Sequence, residues 1–313
     1  MAENYIHFLK LCKSKASKIK STWIRQIESG QQPSSSALRD HLGAIHDNNA
    51  GFTEAFAWNC RDANGKNSYE LLTDIIDQKY HSHVLDLGCG SGVLLDLCNK
   101  RFGSKLMLSG IDMNSSELQL ARERLAHTNT QFHQGLAQNP DFFVDSSFDV
   151  IFCHWALTLM DPVVDVLSTT KRLLKERGIF AAIVDGDPKT APGYLEVHDI
   201  IYKHVQCKFP GYGVFDLGDP RVRTTEELQK LTAETFIDFD INITPITLSF
   251  NAAPSILARE AAGFFYASFI LSPNDFSHML IDLEKYFITK QQDDVSYFIM
   301  PVNRLVVRGR GKL

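Results

Sequence analysis

The chain has 313 residues, 44% of them hydrophobic and 22% charged, with a formal net charge of −5. That length and apolar share are enough for a buried core and exclude a disordered or collagen-like chain. The acidic balance argues against a general affinity for nucleic acid.

The first segment, Asn4–Glu28, repeats Ile6, Leu9, Cys12, Ala16, Ile19, Trp23 and Ile27 at helical steps, which predicts an amphipathic helix. Its other face holds Lys10, Lys13, Lys15, Lys18, Lys20 and Arg25. Such a face is either plain solvated surface or a dock for an acidic partner, RNA or anionic lipid. Gln31-Gln32-Pro33-Ser34-Ser35-Ser36 reads as a polar linker. Between His46 and Asn67, Phe52, Phe56 and Trp58 alternate with small polar residues, which suits either a lid or an aromatic anchor. The lysines of the N-terminus interrupt any signal-peptide core, and the longest apolar run, Ala261–Leu271, is too short to span a bilayer.

From Ser68 the pattern alternates between helix and strand. Helices are predicted over Tyr69–Gln78, Gly92–Arg101, Ser115–Ala126 and Val163–Glu176. The strands between them are His83–Leu87, Leu106–Ile111, Gln131–His133, Val150–Cys153 and Ile179–Val184. This alternation implies a parallel sheet with helices on both faces. Helix Thr225–Thr235 and strands Phe239–Phe250 and Val295–Val307 would complete seven strands. Two insertions interrupt the rhythm. Gly186–Arg223 contains helix Tyr194–Gln206, and Asn251–Asp294 contains two apolar helices, Ser255–Leu271 and Asn274–Lys290. Phe264, Phe265, Tyr266 and Phe269 in the second suit a pocket wall, a homodimer contact or ordinary core.

The most informative stretch is Val84-Leu85-Asp86-Leu87-Gly88-Cys89-Gly90-Ser91-Gly92: an apolar strand, three glycines at alternate positions, then an apolar helix. A strand–glycine turn–helix unit puts free backbone N–H groups and a positive helix end at the carboxyl edge of a sheet. Dinucleotide sites use G-x-G-x-x-G; here the order is G-x-G-x-G with Asp86 two residues earlier. A carboxylate there would repel a diphosphate and suit a cationic amino-acid end. Asp112, after the second strand, suits a ribose diol because a carboxylate accepts two hydroxyl hydrogen bonds.

Together these residues resemble the class I S-adenosylmethionine-dependent methyltransferases. Phe148-Asp149-Val150-Ile151-Phe152-Cys153-His154-Trp155 is similar to that family's fourth strand and the loop facing cofactor and acceptor. Leu173-Leu174-Lys175-Glu176-Arg177-Gly178-Ile179-Phe180 is similar to its approach to the fifth strand. The resemblance implies an α/β fold: a seven-stranded, mostly parallel Rossmann-like sheet with an antiparallel last strand. It divides the chain into an N-terminal helix and lid, 1–67, and a methyltransferase domain, 68–313, with 186–223 and 251–294 as cap or acceptor pocket.

The resemblance also implies S-adenosylmethionine as cofactor and S-adenosylhomocysteine as product. The cofactor would lie against Asp86, Gly88, Cys89, Gly90 and Gly92, with Asp112 at the ribose and Met113, Leu136 and Ala137 about the adenine. The family often has an acidic residue after the third strand; this chain has Gln134-Gly135-Leu136-Ala137-Gln138, so Gln138 or backbone groups would serve instead.

Methyl transfer from a sulfonium is an in-line displacement that needs alignment and water exclusion more than a fixed base. His154, at the end of the fourth strand, would be either a general base or a hydrogen-bonding contact to the cofactor. Asp185, at the end of the fifth, could steer an amine or hydroxyl or cap a helix; His198 and His204 read as surface residues. No N/D-P-P-Y/F follows strand four, no Pro-Cys pair suggests cytosine chemistry, and none of the six cysteines stands in C-x-x-C spacing for a metal. The expectation is a cytoplasmic enzyme with no metal, methylating an oxygen or nitrogen of a small molecule or carrier-bound acid. The alternatives are an RNA or protein substrate docked on the basic N-terminal helix, and a non-catalytic regulatory protein that binds the cofactor.

Overall fold

The computed structural model describes residues 21–310. Most of the predicted N-terminal helix, with its lysines at 10–20, lies outside them; the described part is helix Thr22–Glu28. The chain divides into two compact units. One comprises residues 1–60, 191–216 and 249–300; the other comprises 61–190, 217–248 and 301–313.

The second unit carries most of the sheet. Strands β1 (His83–Leu87), β2 (Met107–Asp112), β3 (Gln131–Gln134), β4 (Phe148–His154), β5 (Leu174–Asp185), β6 (Phe239–Ala252) and β7 (Ser296–Gly309) run in the order β3-β2-β1-β4-β5-β7-β6. The first five are parallel, and β7 is antiparallel to β5. Strand order reverses at β1, so the crevice at the carboxyl ends of β1 and β4 is the topological switch point, where open α/β sheets bind ligands. The seven-stranded, mostly parallel architecture is the one the sequence predicts.

Leu85, Leu87, Ile151, Cys153, Phe180, Ala182 and Val184 face one core together with Val166, Leu167, Leu228 and Leu231. Parallel partners share a face, so Asp86, Phe152, Ala181 and, one pleat on, His154 and Ile183 lie on the other. At the amino end of the sheet, Asp149 accepts from the Ser82 and His83 N–H groups and from Lys175 Nζ. These partners outweigh its partial burial and hold its pKa at about 2.

Several boundaries differ from expectation. The helix predicted over Tyr69–Gln78 is Ser68–Thr73. Asn67 and Glu70 close a capping box at its start, and beyond its end Asp77 accepts from Lys79 N–H while the Asp77 N–H donates to His81, side-chain bonds that favour turns over helix. The helix predicted to Glu176 stops at Leu173, because Leu174 is already extended and paired with Phe148. A register shift then spans Lys175–Gly178, where a Cβ on Gly178 would lie 2.9 Å from Leu174. The predicted Ser255–Leu271 helix is Pro254–Phe264 followed by a 3-10 turn, Tyr266–Ile270, where the Ser268 hydroxyl donates to the Ala262 and Phe265 carbonyls. The linker reading of residues 31–36 is also corrected: Ser34 caps an unpredicted helix, Ser35–Asn49.

The first unit is largely helical: Thr22–Glu28, Ser35–Asn49, Glu54–Asn59, Tyr194–Gln206, Pro254–Phe264 and Pro273–Thr289. Aromatic contacts join its three chain segments. Trp23 stacks on His41 and meets Tyr212 edge-on; Phe52 packs on Tyr266 and Phe269; Phe56 packs on Phe250, Phe264 and Phe298. Phe52 and Phe56 are thus packed within this unit, whereas Trp58 is exposed. His204 bonds Asp282, and His198 bonds Asp199 while stacking on Tyr202.

Candidate cofactor and acceptor site

The glycine turn between β1 and helix Val93–Phe102 is held from inside. Gly88 and Cys89 N–H both donate to the Ile111 carbonyl, Gly90 N–H donates to Asp112 Oδ2, and Gly92 N–H donates to the Cys89 carbonyl. The expectation of free N–H groups along the turn is thereby corrected: these four are spent on β2 and on the turn itself. What faces outward is the first turn of helix Val93–Phe102, whose N-cap Gly92 supplies no side chain.

The three glycines, all at positive φ, have different reasons. A Cβ on Gly88 would sit 2.8 Å from Ala156 and Met160, and one on Gly92 would sit 3.0 Å from Ala121, so both make room for protein. Gly90 alone of the three is open, with only Glu117 Oε2 at 3.7 Å from its Cβ position. Room for a ligand's approach is therefore the work of Gly90. The Cys89 side chain is buried, and a Cβ on Gly110 would meet its sulfur at 2.8 Å, so Cys89 can offer a ligand only backbone.

Asp86 is 1% exposed, and its Oδ1 has no hydrogen-bond partner among the described residues. Burial, and next the charge of Asp112, push its carboxyl well above the usual range. A buried carboxyl oxygen without a donor is costly unless something cationic arrives to meet it. Asp112 is better supplied: Oδ2 accepts from Gly90 N–H and Oδ1 from Asn114 N–H, each at 2.8 Å. A carboxylate has about four lone-pair sites and can accept from both hydroxyls of a vicinal diol. Met113 is half-buried, Leu136 is exposed and Ala137 is buried, all at the carboxyl ends of β2 and β3. Gln138 donates Nε2 to the Asp161 carbonyl.

His154 ends β4. Its Nε2 lies 2.8 Å from Ser68 Oγ, its ring stacks on Tyr69 at 4.1 Å, and burial lowers its pKa to about 3. It is therefore a neutral imidazole at physiological pH. Trp155, which follows, has a φ of 51°, a strained value for a bulky residue, and its N–H donates to the Ile183 carbonyl. Asp185 lies on the same sheet face; burial raises its carboxyl, offset by Arg223 and a hydrogen bond from Thr158. Sequence reasoning missed Ser68, Tyr69 and Glu117. The Asn67-x-x-Glu70 capping pattern could have placed Ser68 at the first helical position, but not against His154.

The residues present fit an adenosyl amino acid: a buried carboxyl with one unpartnered oxygen, Asp86, a second carboxylate at the tip of β2, Asp112, and the open Gly90. Among the described residues no group of three His, Cys, Asp or Glu could hold a metal ion, and no helix is long and apolar enough to cross a membrane.

Residues 78–203 match the family model of a methyltransferase domain. A demethylmenaquinone methyltransferase of Staphylococcus epidermidis is 26% identical over 156 residues, 50% of this chain and 61% of that protein. The Thermotoga maritima demethylmenaquinone methyltransferase is 28% identical over 192 residues, 59% of this chain and 80% of its own. The chain thus spans about three-fifths of the length of the first of these relatives. Among solved structures, phosphoethanolamine N-methyltransferase 2 of Haemonchus contortus, in complex with phosphomonomethylethanolamine and S-adenosylhomocysteine, shares the fold. It has a TM-score of 0.52 and 18% identity over 88% of this chain and 60% of its own. Fold and family match together give a Rossmann-like methyltransferase domain. Over residues 78–203 the chain is similar to the class I S-adenosylmethionine-dependent methyltransferases, a family whose cofactor is S-adenosylmethionine.

Proposed function

We propose that this chain is a cytoplasmic enzyme that binds S-adenosylmethionine at the carboxyl edge of β1, β2 and β4. It transfers the methyl group to an oxygen or nitrogen of a small molecule or carrier-bound acid. The observation that carries the reading is the unpartnered, buried carboxyl oxygen of Asp86 beside the one glycine of the turn left open. Relatives named for methylating a demethylmenaquinone support the small-molecule class. The cytoplasmic placement is supported by the five cysteines of the described residues, all free thiols.

When bound, the sulfonium supplies an activated methyl group. Asp86 accepts hydrogen bonds from the ammonium end, which favours its carboxylate form. Asp112, already fixed by Gly90 and Asn114, accepts from the ribose hydroxyls. Met113, Leu136 and Ala137 would provide the apolar border of the adenine, and His154, at the end of β4, would serve the acceptor side. No residue need gain a proton before transfer; the task of the site is alignment and exclusion of water.

The test is label transfer. Protein is incubated with methyl-labelled S-adenosylmethionine and a cell extract separated into small-molecule, RNA and protein fractions. Label in the small-molecule fraction is the expected result. The basic stretch Lys10–Arg25 favours a second reading, an RNA or protein substrate docked there. In that case label enters those fractions, and neutralising Lys13, Lys15, Lys18 and Lys20 abolishes it. No label in any fraction, with cofactor binding intact, would instead indicate a regulatory binder.

A further inference from the structure

The imidazole of His154 has two nitrogens with different surroundings. Nε2 faces Ser68 Oγ at 2.8 Å, and Nδ1 has no partner among the described residues. Ser68 is fully buried at the first position of its helix, and His154 Nε2 is its side chain's hydrogen-bond partner. A hydroxyl in that position must spend its hydrogen. If Nε2 carried the proton and donated to Oγ, the Ser68 hydroxyl hydrogen would be buried without an acceptor. That penalty is large enough to bias the tautomers by roughly tenfold or more. The satisfied arrangement has Ser68 Oγ–H donating to the Nε2 lone pair, which leaves the ring proton on Nδ1. Tyr69, stacked on the ring at an interplanar angle of 21°, prevents it from turning over.

Register fixes where that ring stands. Asp86 pairs with Phe152, so His154 lies on the same sheet face, one strand over and one pleat further toward the carboxyl edge. With ordinary strand spacing and rise, this is roughly 8 Å from Asp86 between Cα atoms. His154 therefore lies beyond Asp86 at the carboxyl edge of the sheet, where open α/β sheets take their ligands.

We propose that Ser68 is a positioning residue that holds His154 as its Nδ1–H tautomer, and that Nδ1–H is a hydrogen-bond donor to an oxygen of the methyl acceptor. This rests on the methyl-transfer reading above. Of the two roles the sequence leaves open for His154, it sets a fixed donor in place of the general base: the nitrogen lone pair a base would use is engaged by Ser68. The acceptor class it selects carries a lone-pair oxygen, such as a carbonyl, carboxylate or ether, close to the methylated atom.

The test is long-range proton–nitrogen correlation on the full chain labelled with 15N-histidine, the His154 signals being assigned with His154→Gln. The expected result is a protonated Nδ1 and a lone-pair-type Nε2 in the native protein at neutral pH. Ser68→Ala should shift His154 toward a mixture or to the Nε2–H form, and Ser68→Thr, which keeps the hydroxyl, should restore the native pattern. An Nε2–H tautomer in the native protein overturns the proposal even if Ser68→Ala does not fold. So does a folded Ser68→Ala with unchanged His154 signals. S-adenosylhomocysteine is then added as the probe. The Nδ1–H signal should stay in the unliganded position; a new hydrogen bond there would assign the donor to the cofactor and overturn the acceptor assignment. A second sample, labelled with 15N-glycine and with the Gly90 amide assigned by Gly90→Ala, reads cofactor binding independently. A Gly90 signal unmoved by the probe would refute the cofactor site while leaving the tautomer result intact.

Discussion

Replacing Asp112 with alanine should damage binding and folding by separable amounts. Its carboxylate holds the Gly90 and Asn114 N–H groups at 2.8 Å and, in the proposed complex, two ribose hydroxyls. Each hydrogen bond to a charged group contributes about 1.5–3 kcal/mol. Losing both ribose bonds at the low end weakens binding by about 3 kcal/mol, roughly a hundredfold or more. The two backbone N–H groups lie at a half-buried edge where water can replace part of the loss, so stability should fall by only about 1–2 kcal/mol. Asp112→Asn should destabilise nearly as much, because one of the two N–H donors would then face the amide NH₂. Titration calorimetry with S-adenosylhomocysteine measures the first quantity and urea unfolding the second. A folded Asp112→Ala protein that binds within about threefold of the native affinity would falsify the placement of the diol on β2.

Asp86→Asn should lose affinity for S-adenosylhomocysteine while gaining or keeping stability, because a neutral amide replaces a buried carboxyl; equal affinity by calorimetry would refute its pairing with the ammonium. The raised pKa of Asp86 means the ligand-free fold holds a proton that the unfolded chain releases near pH 4. Its contribution to stability therefore falls as pH rises from that point through the folded value, and melting curves of Asp86→Asn should lack this component. Gly90→Ala and Gly92→Ala should behave differently. Both cost about 1–2 kcal/mol for positive φ. Gly92→Ala adds overpacking against Ala121 of about 1–3 kcal/mol, whereas Gly90→Ala should mainly lose ligand affinity; equal unfolding midpoints for the two would refute that division.

Much of this fold is legible where local pattern and tertiary demand agree. β1 spans His83–Leu87 as predicted, and Tyr194–Gln206 and Thr225–Thr235 form as their periodicity predicts. Helix Ser35–Asn49 was hidden because its five buried side chains are diluted by Ser, Asp, His and Asn, and because Ser34-Ser35-Ser36 reads equally well as linker or cap. In the site, Asp86, Asp112 and the glycines announce themselves by spacing. The inward use of their N–H groups does not, since it depends on β2 lying alongside with its Ile111 carbonyl in reach. The Ser68–His154 bond joins residues 86 positions apart, and only the packing of a helix on the sheet brings them together.

The division of the chain into interleaved segments sets an order of events during synthesis. Trp23 and His41 must wait for Tyr212, and Phe56 must wait for Phe298, before the helical unit has its aromatic core. At about 5–20 residues per second on the ribosome, the interval between Phe56 and Phe298 is roughly 10–50 seconds. The sheet unit waits as long, since β5 stays an unpaired edge until the antiparallel β7 is made. The chain must therefore emerge almost whole before either unit can close, and until then its aromatic surface and open strand edge are exposed to aggregation.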